Sequence, residues 1–515
     1  MTAAHSIFDS LTPSDLGLPP KFVSFRLPQR QALGWLTDEC EHPVSAASIP
    51  TGVGKTSLAV AYARLLGVKA VYLVATKALE AQVLSDFSSM GMVNVHGRAN
   101  YTCPNYGDCD KGADHKCSLA QTESCPYSRQ VNLAADSDLV VTNYAYYLWS
   151  KGVRNKAFEG TGLLICDEAH ALEHQLGSFA SVKLYAREMG KDHVPLTRNG
   201  LNGIMPDDSG TDAHDWKVWA AGKAQKLASK ADLDDDEQDL LDRLRKVTRM
   251  HSNWVWQFDD RGHCSFEPIR VTAYTRGLLS SVPRVLMMSA SLSEFALKLL
   301  MPSDTYYDYR AWPPVFPQQN SPVYHIPTVK LSWKSTDEDY RQVIEAADQI
   351  IDTRGDRKGI VHTVSYARTG RILEHSRHSQ RFIWNKDGSA LAKSLELFQK
   401  SSDGILVTPS VEEGFDFPLG ACEYQIVLKF PFPNETQRVV KERCTQIPGY
   451  RLHHAAQKIV QIRGRAVRSD TDRAELFILD NAVRQLCGPE GRSYCPPGFR
   501  IFTVNDVPPA PPKIT

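Results

Sequence analysis

Long hydrophobic runs are missing from this sequence. No stretch of about 18 consecutive apolar residues occurs, so no membrane-spanning helix is expected. Met1 to Ser10 has neither a basic patch nor an apolar segment, and no secretory signal is expected. Net charge is missing too, because 59 Lys and Arg balance 59 Asp and Glu. That argues against a protein that coats nucleic acid by charge alone, while leaving room for local basic tracks. No internal repeat of about 20–50 residues is visible. Eleven cysteines without an export signal point to thiols or metal ligands, not to a disulfide framework. What remains is ordinary globular composition, 42% apolar and 23% charged over 515 residues, enough for roughly three to four domains.

The most informative stretch is Ile49-Pro50-Thr51-Gly52-Val53-Gly54-Lys55-Thr56. It follows a small apolar run, Ala46–Ile49, that reads as a buried strand, and it opens a helical segment from Ser57 to Ala63. Strand, Gly-rich loop, Lys-Thr and helix form a phosphate-binding loop: glycines turn backbone N–H groups towards phosphate oxygens, and the helix N-terminus adds positive potential. Lys55 is expected at the β- and γ-phosphates of ATP and Thr56 at Mg²⁺. Ile49 stands where the consensus has its first glycine. Downstream, the strand-like Leu163–Cys166 runs into Asp167-Glu168-Ala169-His170. Asp167 is expected to share Mg²⁺ with Thr56, and Glu168 to polarise the attacking water. Upstream, Arg26 and Gln29 precede the loop, and an amide such as Gln29 can pair with adenine as donor and acceptor.

Cys103, Cys109, Cys117 and Cys125 fall within 23 residues, separated by five, seven and seven. The segment is rich in Gly, Asn and Asp and needs a staple. Zinc sites usually show a close C-x₂₋₄-C pair, which is absent here, and a [4Fe–4S] cluster tolerates wider spacing. His115 keeps a Cys₃His zinc site open, and free thiols are the remaining alternative.

These motifs resemble those of the XPD/DinG-type helicases, the iron–sulfur branch of superfamily 2. The resemblance is carried by Thr51–Thr56, Gly97–Cys103, Cys125-Pro126-Tyr127, Ala135–Tyr144 and Asp167–His170, and continues to about residue 480. It implies an α/β fold of two RecA-like motor domains with parallel sheets. A cysteine-rich iron–sulfur insert and a helical arch would both interrupt the first motor. It also implies nucleic-acid contacts from Thr76, Lys77, Arg98, Tyr101, Asn143 and Glu413. Arg284–Leu292 resembles the Ser-Ala-Thr element, with Ser291 for Thr, and His170, Ser289 and Ser291 are expected to couple hydrolysis to movement. Glu412–Phe417 and Gln461–Arg468 resemble the two motifs of the second motor, with Asp416 at the nucleotide. Arg465 and Arg468, three apart, would share a helix face and act with Gln461 at the γ-phosphate.

The expected organisation is an N-terminal segment (1–20), a first motor in three pieces (21–95, 131–172 and 270–318 with the linker), a cysteine domain (96–130), an arch (173–269), a second motor (319–505) and a Pro-rich, unpacked tail (506–515). Trp216, Trp219, Trp254 and Trp256 of the arch read as core, with base stacking as the alternative. The resemblance implies a monomeric ATP-dependent DNA helicase that moves 5′→3′ on single-stranded DNA and opens forked or 5′-tailed duplex, with DNA–RNA hybrids and R-loops as open substrates. A cytoplasmic setting and a prokaryotic or viral source are expected. The rivals are a translocase with little strand separation and a zinc-stapled nucleic-acid-binding NTPase switch.

Overall fold

The structure is a computed structural model describing residues 7–114, 117–151, 155–189, 202–205, 211–250, 253–384, 391–409, 422–467, 469 and 471–512. Its strands in chain order are β1 (Val44–Ser48), β2 (Ala70–Val74), β3 (Val93–Asn94), β4 (Leu139–Asn143), β5 (Leu163–Cys166), β6 (Val182–Leu184), β7 (Asn202–Met205), β8 (Trp254–Phe258), β9 (Cys264–Pro268), β10 (Arg284–Ser289) and β11 (Asp308–Ala311). They continue with β12 (Val323–His325), β13 (Gly359–His362), β14 (Phe382–Trp384), β15 (Ile405–Thr408), β16 (Tyr424–Val427), β17 (Glu475–Ile478) and β18 (Phe502–Thr503).

Two seven-stranded parallel sheets result, ordered β11-β1-β10-β5-β2-β4-β3 and β14-β15-β13-β16-β17-β12-β18. Strands β1, β2 and β5 are buried at every residue. Covered on both faces, they read as unbroken apolar or small runs with no alternation. These are the two RecA-like motors expected from the sequence. Register then decides where the chemistry gathers: Ser48 lies beside Ser289, Leu73 beside Cys166, and Val74 beside Asn143. The segments that follow β1, β2, β4, β5 and β10 therefore all leave the same carboxyl edge, the usual ligand edge of an open α/β sheet.

Three sequence expectations are corrected here. The insert after the Asp-Glu-Ala-His box is not simply helical. It contains a four-stranded antiparallel sheet, β6-β9-β8-β7, beside the helices Thr211–Ala228 and Asp235–Thr248. Short strands such as β9, with alternating burial, are easily hidden in a polar segment. Its core holds Trp216, Trp254, Trp256 and Phe266, with Trp219 packed against it, so the fully buried Trp216 and Trp256 are unavailable for stacking bases. Secondly, Leu172 and Leu176 of the helix Leu172–Ala180 lie in the first motor's core, so the insert's own core begins later than residue 173. Thirdly, the Pro-rich tail is docked. Arg354 donates to Pro508 O at 2.8 Å, Arg357 donates to Pro511 O, and Val507 packs against the second motor.

Among the described residues, no helix is long and apolar enough to cross a membrane.

Candidate active site

The phosphate loop leaves β1 and enters the helix Lys55–Leu66, whose N-cap Gly54 has φ 91°. A side chain is excluded there twice over, because an added Cβ would lie 2.8 Å from Gln29 Nε2 and φ is left-handed. Gln29 braces the loop: Nε2 donates to Gly54 O and Ser57 Oγ, both at 3.0 Å, while Oε1 accepts from Arg26 N at 2.8 Å. Arg26 donates to Gly52 O. Buried and engaged at both ends, the Gln29 amide is not presented to a base as the sequence suggested.

Lys55 Nζ lies 3.9 Å from Glu168 Oε1. Asp167 accepts a hydrogen bond from Tyr72 at Oδ2, 2.8 Å away. The Tyr72 hydroxyl also contacts the Thr56 side chain, so it stands between the two expected Mg²⁺ ligands. Burial, reinforced by the charge of Glu168, pushes the Asp167 carboxyl up to about 6. Burial acts on Glu168 in the same sense, but Lys55, His170 and Ser289 together outweigh it and hold that carboxyl down at about 2. Glu168 therefore stays ionised, as a group that accepts from water must. Its backbone is left-handed, φ 47°, a sparsely populated conformation for such a residue.

His170 Nδ1 lies 2.7 Å from Ser289 Oγ and 3.2 Å from Glu168 Oε2. Ser289 Oγ is 3.5 Å from Ser291 Oγ, and Ser291 O accepts from Gln457 Nε2 of the second motor at 3.5 Å. A polar chain thus runs from the acidic box into the helix Tyr450–Gly464. That helix faces the phosphate loop across a cavity of about 340 Å³ lined by Lys55, Thr56, Asp167, Glu168, Gln461 and Arg465. Gln461 Oε1 is buried and has no hydrogen-bond partner among the described residues. An orphaned acceptor in a polar cleft fits a site that receives a donor from outside the chain. The helix ends at Gly464, with Arg465 as its C-cap. Arg468, Glu413 and Asp416 lie outside the described residues.

Thr76 caps the helix Lys77–Phe87, its side chain accepting from Leu79 N at 3.3 Å. The exposed Lys77 donates to Asn100 Oδ1 at 2.5 Å, and Arg98 sits 5.1 Å from the Tyr127 ring centroid. Tyr101 OH accepts from His96 N at 3.0 Å, and Asn143 Oδ1 accepts from Tyr146 N at 2.9 Å. Thr76, Lys77, Arg98 and Tyr101 form one neighbourhood that ties the first motor to the cysteine segment.

Cys103, Cys109, Cys117 and Cys125 line a single cavity, with Cys103 Sγ and Cys117 Sγ 3.9 Å apart. Its lining contains no His, Asp or Glu among the described residues; His115 lies outside them. Among the described residues, no group of three or more His, Cys, Asp or Glu is gathered as a metal-ion site. Four thiols with no His, Asp or Glu beside them in the lining fit an iron–sulfur group held by thiolates.

Tyr72 and Gln457 escaped the sequence reading. A lone phenol within the buried Ala-Val-Tyr-Leu-Val strand was the available signal for the first; Gln457 had none.

Residues 27–198 match the DEAD/DEAH box helicase family and residues 350–488 the helicase C-terminal domain family. No curated protein matches the chain. Among solved structures, Xpd4 of S. tokodaii is similar at 16% identity and a TM-score of 0.60, covering 93% of this chain and 100% of its own. A structure described as an XPD helicase is similar at 13% identity and a TM-score of 0.62, covering 92% of this chain and 98% of its own. At such identities the structures speak for the fold alone, which is XPD-like, and the family matches show a DEAD/DEAH box helicase domain followed by a helicase C-terminal domain.

Proposed function

We propose that this helicase is an ATP-driven DNA motor that moves 5′→3′ on single-stranded DNA and separates duplex ahead of it. The observation that carries the reading is the facing of Lys55, Asp167 and Glu168 on one motor by Gln461 and Arg465 on the other across one cleft. A switch needs only the first set. A motor needs both, because closure on ATP and reopening after hydrolysis convert chemistry into relative movement.

Lys55 and the loop amides bind the phosphates. Thr56 and Asp167 would hold Mg²⁺, which supplies charge neutralisation at the phosphate oxygens. Glu168, ionised, accepts a proton from the attacking water, and the orphaned Gln461 oxygen orients that water. Arg465, joined by Arg468, balances charge on the γ-phosphate as arginine fingers do, an effect worth about 10³–10⁵ in rate. Arg26 and Gln29 hold the loop's shape, with Thr51, Gly52 and Gly54 forming it and Asp416 serving the nucleotide from the second motor. The His170–Ser289–Ser291–Gln457 chain carries the nucleotide state across the interface.

Cys103, Cys109, Cys117 and Cys125 would hold a [4Fe–4S] cluster, whose part is to rigidify a segment with little core of its own. Thr76 and Lys77 contact the strand's phosphates, and Arg98, Tyr101, Asn143 and Glu413 supply further contacts to the DNA. The test is ATP-dependent unwinding of matched duplexes bearing a 5′ tail, a 3′ tail or none. Opening of the 5′-tailed duplex alone is expected. DNA-stimulated hydrolysis without opening of any duplex would make the protein a translocase, and preference for the 3′ tail would reverse the polarity.

A further inference from the structure

The motors also meet along a groove remote from the cysteine segment. That segment follows β3, which closes one end of the first sheet; β11 closes the other end, and β18 closes one end of the second sheet. Both β11 and β18 border a single open groove of about 1030 Å³. The first motor gives it Tyr309, Ala311 and Lys298, and the second gives it Arg492, Arg500 and Phe502. Phe295 and Tyr494, with ring centroids 5.0 Å apart, join the motors along it. Such a volume lies at the upper end of the range for small-molecule pockets and suits a segment of chain.

The backbone of β11 offers such a segment something to pair with. Trp312 N donates to Ser48 O at 2.9 Å, so Arg310 and Trp312 turn their backbone groups towards β1. Alternate residues of a strand face opposite neighbours, so Tyr309 and Ala311 turn their N–H and C=O groups outward. Among the described residues no strand lies on that side. An open edge of this kind is a template for an added strand.

The rim has a charge surplus. Lys298, Arg492 and Arg500 are exposed, and none has an ion pair or a side-chain hydrogen bond among the described residues. Glu294 is the one carboxylate in the lining among the described residues. Phe502, 45% exposed, adds an apolar spot. A nucleic-acid strand would satisfy the cations, but it has no amides and carbonyls with which to extend a sheet. An acidic peptide satisfies both.

We propose that this groove docks an acidic, extended segment of a partner protein, which adds as a strand to β11 and places its carboxylates at Lys298, Arg492 and Arg500 and an apolar side chain at Phe502. The docked segment touches both motors and lies away from the phosphate cleft and the cysteine cavity.

The experiment is fluorescence anisotropy with the full chain and a labelled poly-aspartate peptide carrying phenylalanine. Binding is expected, with a poly-lysine peptide of the same design left unbound. Lys298→Glu, Arg492→Glu and Arg500→Glu should each weaken it about tenfold, the scale on which opposed like charges act at an interface. Ala311→Pro removes an outward N–H that β1 does not use, and should weaken binding by a similar factor. The same peptide N-methylated at alternate amides should lose about tenfold on the wild-type chain, which tests strand addition without altering the fold.

Absence of binding overturns the proposal, as does an affinity that all three charge reversals leave unchanged. Full affinity of the N-methylated peptide overturns strand addition. Displacement of the peptide by single-stranded DNA, with loss of DNA binding in the reversed variants, would make the groove a nucleic-acid surface and overturn it too.

Discussion

The Tyr72 hydroxyl donates to Asp167 Oδ2 at 2.8 Å, reaching from β2 to the end of its neighbour β5. It also touches the Thr56 side chain, so one phenol links the phosphate loop to the acidic box. Burial and the Asp167 charge keep that phenol protonated and therefore a donor. In Tyr72→Phe the Asp167 carboxylate loses its donor while remaining buried. Partners standing behind metal ligands typically contribute about 10–100-fold to metal affinity or activity. Tyr72→Phe should accordingly lower kcat about tenfold and raise the Mg²⁺ concentration for half-maximal hydrolysis, measured by magnesium titration of the DNA-stimulated ATPase.

Gly464 meets the phosphate loop at the end of its helix. An added Cβ there would lie 2.9 Å from Thr51 Cγ2 and 3.1 Å from Thr51 Oγ1. Gly464→Ala should leave each motor folded, because the residue is helical, but should hold the motors apart at Thr51. A reduction of about tenfold or more in kcat with an unchanged melting temperature is expected; unchanged hydrolysis would show that the joint yields freely.

Glu80 is buried at the junction of the Lys77–Phe87 helix and the cysteine segment, 3.3 Å from His96 Nε2. Burial raises its carboxyl from 4.5 to about 7, against the opposing influence of Asn94 and Lys77. Burial likewise lowers His96, with Lys77 acting in the same sense, so this neighbour resists taking a charge. An acid whose folded value is raised favours the folded state in its protonated form. The resulting stability is full below the unfolded value near 4.5 and is lost as pH rises through about 7. Glu80→Gln, always neutral, should melt higher than the wild type at pH 8.5 and close to it at pH 5. Equal melting temperatures at both values would refute the buried neutral carboxyl.

Cys103→Ser replaces one of the four thiols that line the cysteine cavity. The cysteine segment lies apart from the residues lining the phosphate cleft, so the two functions should separate. Loss of bound iron and of unwinding on a 5′-tailed duplex is expected, with appreciable ATP hydrolysis retained. Iron and inorganic sulfide per chain, measured with both activities, check it, and iron at the wild-type level would exclude Cys103 as a ligand.

His170 touches both Glu168 and Ser289, and so stands at the head of the chain that reaches Gln457. His170→Ala should preserve nucleotide binding while sharply reducing the stimulation of hydrolysis by single-stranded DNA. Full stimulation would remove His170 from the coupling role.

Much of the site was legible in the sequence because its chemistry is local. A phosphate loop needs left-handed glycines next to a helix start, and Gly52 and Gly54 have φ 76° and 91°. Asp167 and Glu168 were legible because a buried strand must end before two acids can stand free. Tyr72 was hidden because strand residues facing a covered sheet look alike in sequence, whatever their side chains meet. The end of the Tyr450–Gly464 helix was not legible because the sequence keeps a helical pattern past Gly464, where contact with Thr51 takes over. The docked tail was misread because proline-rich composition describes a free chain, whereas Arg354 and Arg357 capture its carbonyls.

By itself, then, the sequence determined the elements and the motifs at their ends: two alternating β/α motors, the phosphate loop, the acidic box and four spaced cysteines. Each depends on backbone preferences and burial over a few residues. Tertiary structure decided what meets across the chain. It set Gln461 opposite Glu168, committed the Gln29 amide to the phosphate loop, and brought Lys298 and Arg500 to one groove. Such meetings depend on how separate elements, and the two sheets, are packed against one another, and no local periodicity carries that packing.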